Sequence, residues 1–150
     1  MISLRSYWMG RDATHAEELT DEINRNARIT VDRANELLER AGRSDIDQVA
    51  SGWRPASVND ATQNAARSSR HLTAEAVDLP DPDRTLAGWI VDNLDVLKEI
   101  GLWVEDFRWT WSENGNHWVH LQIVPPKSGK LVFIPNSTPP KDKSFEVTWA

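Results

Sequence analysis

The sequence predicts an α+β domain in which helices come first and an antiparallel sheet follows. Up to residue 101, apolar side chains recur at helical spacing behind polar capping residues. Beyond it, short apolar runs alternate with an Asn-Gly pair and several prolines, which is typical of strands joined by turns. A chain of 150 residues is long enough to bury one core, so we expect a single domain over 1–150.

The N-terminal part of the chain predicts two helices. Thr14 followed by Glu17 has the spacing of a capping box, so a first helix is expected from there through Ile23. Thr30 is expected to start a second helix that has one apolar face and stops at Gly42.

The clearest helix in the sequence lies between two groups of strands. It follows Asp81, carries apolar side chains on one face from Leu86 to Ile100, and ends at Gly101. The predicted strands are 74–79, 102–111, 117–124, 131–134 and 145–149, with a polar hairpin turn at 112–116. Shorter segments are predicted as a strand at 49–53, a helical turn at 56–64 and a loop at 65–73.

Composition narrows the classes of function that fit this chain. Because there is no cysteine, a transition metal would have to be bound by histidine and carboxylate. A formal net charge of -6 without a Lys/Arg cluster argues against a nucleic-acid partner. No apolar run has the length of a membrane span or a secretory segment, so we expect cytoplasmic synthesis and no membrane partner. Most of the eight tryptophans are expected in the core.

Two histidines and one aspartate form a candidate metal site. His71 ends a predicted loop, and Asp78 lies at the far end of the strand that follows, so a turn between them would let both reach one point. His120 lies in an apolar strand and shares its face with Gln122, because side chains alternate along a strand. Two histidines and a carboxylate are a known ligand set of catalytic zinc, which leaves a fourth position open to water.

Three sequence blocks resemble the zinc D-Ala-D-Ala carboxypeptidase family, above all its small, phage-associated, endolysin-like metallopeptidases. The blocks are Ser51-Gly52-Trp53-Arg54, Ser69-Arg70-His71 with Asp78 seven positions after the histidine, and Trp118-Val119-His120. They occur in the family's order and cover roughly residues 45–125, which makes them more specific together than singly. The resemblance implies the small α+β fold shared with the hedgehog signalling domain, with helices packed on an antiparallel sheet.

The resemblance also implies site residues. One zinc ion per chain would be bound by His71, Asp78 and His120. Arg54 would hold a substrate carbonyl or carboxylate near the active site, which suits the fixed donor geometry of a guanidinium; stacking on Trp53 or pairing with a surface aspartate is the alternative.

Two further residues are candidates for the substrate-binding cleft. Ser69 would either bind substrate or brace the loop that carries His71, since residues around metal-bound histidines commonly orient them. Gln122 would line the cleft from the face that it shares with His120.

The catalytic base departs from the family's pattern. Family enzymes usually place a glutamate three or six positions before the last histidine ligand, where this chain has His117 and Asn114. We rank Glu113 first, since it is one position further back, Glu105 second and His117 third. His117 ranks last because, on a regular strand, it faces away from His120.

The resemblance therefore implies a zinc metallopeptidase that hydrolyses peptide bonds in peptidoglycan stem peptides, either as a D-Ala-D-Ala carboxypeptidase or as an endopeptidase. A phage or prophage lysis protein that a holin releases to the periplasm or cell wall would need no signal peptide, and neither would a cytoplasmic dipeptidase. We expect a monomer whose partner is the peptidoglycan peptide. The alternative is a weakly active or inactive binding module of the same fold, which the missing glutamate supports.

Overall fold

The computed structural model of the protein describes residues 1–62 and 69–135. The helices there are α1 (Leu4–Trp8), α2 (Arg11–Thr14), α3 (Asp21–Arg40), α4 (Ala56–Ala61), α5 (Thr85–Asp92) and α6 (Leu94–Ile100), and Ala16–Glu18 and Arg70–Thr73 are 3-10 turns. The strands are β1 (Ala76–Pro80), β2 (Trp103–Glu105), β3 (Trp118–Gln122) and β4 (Val132–Phe133). This is the predicted α+β class, and the predicted strand at 145–149 lies outside the described residues.

The two N-terminal helices differ from the prediction. Thr14 ends α2, and the next long helix begins after Thr20, whose hydroxyl accepts a hydrogen bond from the Ile23 amide. Thr30 lies inside this helix, which continues unbroken to Arg40. The buried Thr30 hydroxyl donates to the carbonyl oxygen of Ala74, so this side chain ties α3 to another segment and does not cap a new helix.

The helix ends were predicted better than the helix starts. Gly42 and Gly101 both have positive φ angles, 68° and 90°, and follow α3 and α6 as predicted stops. The long helix over 86–100 is instead two helices that break at Asn93. The Asn93 side chain donates to the Trp89 carbonyl oxygen at 2.8 Å and so replaces the backbone hydrogen bond of a continuous helix.

The sheet is mixed, which corrects the prediction of an antiparallel one. Its strand order is β1-β3-β2-β4; β3 pairs antiparallel with β1 and β2, whereas β4 pairs parallel with β2. Residues 123–131 connect β3 to β4 past the end of β2, so β4 runs in the direction of β2. β2 is also shorter than predicted, because the Asp106 carboxylate accepts from the Arg108 amide in a turn that ends it.

The two faces of the sheet have different surroundings. One face joins the core formed with α3, α5 and α6, and its fully buried side chains are Val77, Leu79, Val104, Val119 and Leu121. By alternation along the strands, the other face carries the polar residues of the predicted site: Asp78, Glu105, His120 and Gln122.

Three smaller predictions have mixed outcomes. The segment 49–53 forms only one bridge, between Ser51 and Asp78, so it is not a full strand. Among the described tryptophans, Trp8 and Trp53 are buried and the others are partly exposed, so fewer lie in the core than expected. Every helix in the described residues is too short or too polar to cross a membrane.

Candidate metal centre

His71, Asp78 and His120 come together at one point although they lie on three separate elements. His71 is in the 3-10 turn before β1, Asp78 is in β1, and His120 is in β3 directly opposite Asp78. His71 Nε2 lies 3.3 Å from Asp78 Oδ2, and His120 Nδ1 lies 2.8 Å from Asp78 Oδ1. One ligand atom from each residue lies within 4.8 Å of the others, so this largely buried group could hold a metal ion.

The position of His71 is fixed by main-chain contacts. Its Nδ1–H donates to the Gly52 carbonyl oxygen at 2.8 Å, and its own carbonyl oxygen accepts from the Arg54 amide at 3.0 Å. Gly52 itself has no room for a side chain, since a Cβ there would lie 1.9 Å from the Tyr7 carbonyl oxygen. The His71 amide donates to Ser69 Oγ at 3.2 Å, so Ser69 braces the turn, one of the two roles considered for it.

The position of His120 is fixed by a neighbouring side chain on the same strand. His120 Nε2 lies 3.2 Å from Gln122 Oε1, and Gln122 Nε2 donates to the Val124 carbonyl oxygen at 2.9 Å. Gln122 is therefore on the predicted face, but its amide contacts the histidine and the backbone, and it is only 4% exposed. The Phe133 ring packs edge-on against His120, with 5.9 Å between the ring centroids.

The donor chemistry of the cluster fits a cation. Burial lowers the pKa of His71, so its ring is neutral at pH 7, and the proton on Nδ1 is committed to Gly52. The Nε2 lone pair of His71 then points at the Asp78 carboxylate from 3.3 Å. Two buried acceptors at this distance repel each other, and a cation between them removes the conflict.

The carboxylate at the centre remains ionised. Burial alone would raise the pKa of Asp78, but its electrostatic interaction with the His71 ring and the hydrogen bond from His120 hold it well below its ordinary value. Burial alone would lower the pKa of His120, but the hydrogen bond and charge of Asp78, with a contribution from Glu105, raise it to about 9. The metal-free cluster therefore holds a proton on His120 Nδ1 that a metal would have to displace.

Glu105 lies beside the cluster on the same face of the sheet. The register of β2 and β3 pairs Val104 with Leu121, so the next pair along places Glu105 opposite His120. Burial raises the pKa of Glu105 to about 7. The charge of Asp78 adds to this rise, whereas the charge of His120 opposes it. Asp78, His120 and Glu105 thus form a row across three adjacent strands.

The other two candidates for the base lie elsewhere. Glu113 is exposed in the turn at 112–116, which the bridge between Trp111 and His117 closes. His117 precedes β3 and is offset by an odd number of residues from His120. Glu105 shares the sheet face of Asp78 and His120, whereas Glu113 and His117 do not, so the positions favour Glu105 over the first-ranked Glu113.

Arg54 lies near the cluster in a largely buried position. It is 8% exposed, and the charge of Asp78 acts on its guanidinium. Its Nη1 donates to Asn59 Oδ1 at 3.3 Å and its Nη2 to Ser51 Oγ at 3.5 Å. Trp53 does not stack on this guanidinium but packs edge-on against Trp8, with 5.7 Å between the ring centroids.

Two residues that shape the site were missed at the sequence level. Gly52 belongs to the Ser51-Gly52-Trp53-Arg54 block, so the resemblance pointed to this residue. Only the fold shows that its carbonyl oxygen orients His71. Phe133 had no such signal, because an aromatic residue in a short apolar run is usually a core residue.

No known family profile, no curated protein and no solved structure matches this chain. The likeness to the zinc carboxypeptidases therefore remains a likeness of three sequence blocks. What the structure adds is the geometry of the residues within those blocks.

Proposed function

We propose that this protein is a zinc-dependent metallopeptidase that hydrolyses peptide bonds in peptidoglycan stem peptides. The observation that carries the proposal is the convergence of His71, Asp78 and His120 on one largely buried point, with Glu105 on the same sheet face. Two imidazoles and one carboxylate suit zinc, whereas calcium and magnesium prefer oxygen ligands throughout.

Zinc held by His71, Asp78 and His120 would polarise the scissile carbonyl and lower the pKa of the attacking water. Glu105 is the proposed general base: its carboxylate accepts the proton of the water and returns it to the leaving amine. In the metal-free protein burial already raises the pKa of Glu105 to about 7, which makes it a stronger proton acceptor than an exposed glutamate. This replaces the sequence-based preference for Glu113.

Arg54 is the proposed substrate-binding cation. Its guanidinium carries five N–H donors, and its two side-chain hydrogen bonds, at 3.3 and 3.5 Å, are long. Donors that remain can bind the carbonyl oxygen or the carboxylate of a peptide, and the buried setting strengthens that contact. A peptidoglycan substrate is supported by the three sequence blocks, and both a D-Ala-D-Ala and an L-Ala-D-Glu type of bond fit them.

The test is digestion of purified peptidoglycan, with the products identified by mass, in the presence of zinc or of a chelator. We expect wild-type protein to release stem-peptide fragments only when metal is present. Glu105→Gln should reduce the rate by about 100-fold or more, as expected for loss of a general base, while it still binds one zinc ion. Glu113→Gln is the matched control and should digest at the wild-type rate.

Two outcomes would contradict this proposal. If Glu113→Gln loses activity and Glu105→Gln retains it, the base has been assigned to the wrong carboxylate. If the wild type binds zinc but releases nothing from peptidoglycan, the protein is the non-catalytic binding module considered as the alternative.

A further inference from the structure

We propose that Gln122 is a positioning residue that selects the nitrogen through which His120 binds the metal. The structure assigns opposite nitrogens to the two histidines: Nε2 for His71 and Nδ1 for His120. This inference rests on the metal site of the proposed function, but it does not depend on peptide hydrolysis.

The orientation of the Gln122 amide follows from its second contact. Only the NH₂ end of a carboxamide can donate to the Val124 carbonyl oxygen, which lies 2.9 Å from Gln122 Nε2. The other end, Oε1, therefore faces His120 Nε2 at 3.2 Å and can only accept. His120 must then carry a proton on Nε2, and Nδ1 is the nitrogen left to face Asp78, at 2.8 Å.

His71 reaches the opposite arrangement by a different route. The Gly52 carbonyl oxygen can only accept, so the proton of His71 lies on Nδ1, and Nε2 faces Asp78. The two nitrogens that Gly52 and Gln122 leave unengaged, Nε2 of His71 and Nδ1 of His120, thus both point at the Asp78 carboxylate. A histidine in the other tautomer would turn an N–H toward the metal position and could not bind there.

The surroundings of Gln122 keep this contact specific. The residue is 4% exposed and lies two positions after His120, so both side chains are on one face of β3. Because so little of Gln122 reaches solvent, water has poor access to replace the amide oxygen. Removing that oxygen leaves the Nε2–H of His120 without its acceptor and free to exchange tautomers.

The test measures zinc affinity by competition with a chromophoric chelator in three variants. Gln122→Leu, which removes the acceptor at similar size, should weaken binding by about 10- to 100-fold, as is usual for residues that orient a ligand histidine. Gln122→Glu keeps an oxygen acceptor for Nε2–H but loses the N–H that donates to Val124, so it should bind zinc more tightly than Gln122→Leu and less tightly than the wild type. Gln48→Leu, at an exposed position outside the site, is the matched control and should have no effect.

A second measurement does not depend on any variant. Histidine ¹⁵N and ¹³C NMR of the zinc-loaded wild type should find the remaining proton on Nε2 of His120 and on Nδ1 of His71. A proton on Nδ1 of His120, a wild type that binds no zinc, or a folded Gln122→Leu with wild-type affinity would each overturn the inference. A wild type that binds zinc as described but cleaves no peptide would end the proposed function and leave this inference standing.

Discussion

The two histidines of the metal centre are held by regions of different construction. His71 lies in the short 3-10 turn before β1, and its ring is oriented by a main-chain carbonyl oxygen, that of Gly52. His120 lies in the middle of the sheet, and its ring is oriented by a side chain, that of Gln122. We call these the loop side and the strand side of the site.

The difference predicts how each side fails. On the loop side the acceptor belongs to the backbone, so no side-chain exchange removes it, and only a change that moves the chain will affect His71. On the strand side the acceptor can be removed by one substitution while β3 keeps its place in the sheet. Asp78 contacts both histidines and is therefore common to both sides.

The largest effect is expected at Asp78, because its loss affects both sides at once. Asp78→Asn keeps the shape of the side chain but removes the anionic ligand between the histidines. We expect zinc affinity to fall by more than about 100-fold, which is a larger loss than the removal of an orienting residue causes. The measurement is zinc content per chain after gel filtration, supported by competition titration.

Asp47→Asn is the control for this change, since Asp47 is exposed in a loop outside the site. It should retain one zinc per chain. Full zinc occupancy in folded Asp78→Asn would mean that the two histidines alone hold the metal. Asp78 would then not link the loop side to the strand side.

The next effect tests the loop side alone. Gly52→Ala places a Cβ 1.9 Å from the Tyr7 carbonyl oxygen, so either α1 or the segment that orients His71 must move. We expect the free energy of unfolding to fall by about 2–4 kcal/mol in urea titrations. We also expect zinc affinity to fall, because the Gly52 carbonyl oxygen moves away from His71.

Gly88→Ala provides the matched control, because a Cβ at this helical position meets nothing within 4 Å. It should be neutral or stabilise the protein by up to about 1 kcal/mol, since alanine favours a helix over glycine. Equal stabilities for the two variants would show that the contact between Gly52 and Tyr7 does not constrain the loop.

The contrast between the two sides also explains which parts of the site the sequence could predict. On the strand side, alternation alone places Gln122 on the face of His120, and the β1–β3 register then brings in Asp78. On the loop side, nothing in the spacing of His71 shows where its ring points. The spacing to Asp78 made His71 a candidate ligand, and the likeness of the sequence blocks supported that choice with information that local periodicity lacks.

The errors in the fold prediction have a related origin. Threonine is a common helix-capping residue, which led to the prediction of a helix start at Thr30. Its hydroxyl instead donates to the carbonyl oxygen of Ala74, far away along the chain. The ranking of Glu113 above Glu105 rested on distance along the chain from His120, and it stays a prediction. The sheet brings Glu105 opposite His120 across fifteen residues of sequence, and only strand register shows that.

The smallest expected effect is a pH dependence of stability, and it tests the strand side of the site through the protonation of His120. The ordinary pKa of histidine is 6.5. In the metal-free protein burial alone would lower the pKa of His120 from this value, but Asp78 raises it to about 9. A raised histidine pKa stabilises the fold fully below pH 6.5, and this contribution is lost as the pH rises through about 9. The metal-free protein should therefore lose stability over this range, by on the order of 1–3 kcal/mol.

Bound zinc should reverse the trend, because it needs His120 without the proton on Nδ1 and so binds more tightly as the pH rises. The increment in Tm between zinc-loaded and chelator-treated protein should grow from pH 6.5 to 9, measured by thermal unfolding in buffered zinc. His120→Gln should abolish both trends, whereas His15→Gln, outside the cluster, should keep them. Because burial lowers the pKa of His71 and leaves that ring neutral already, a pH-independent increment would mean that metal and proton do not compete at His120.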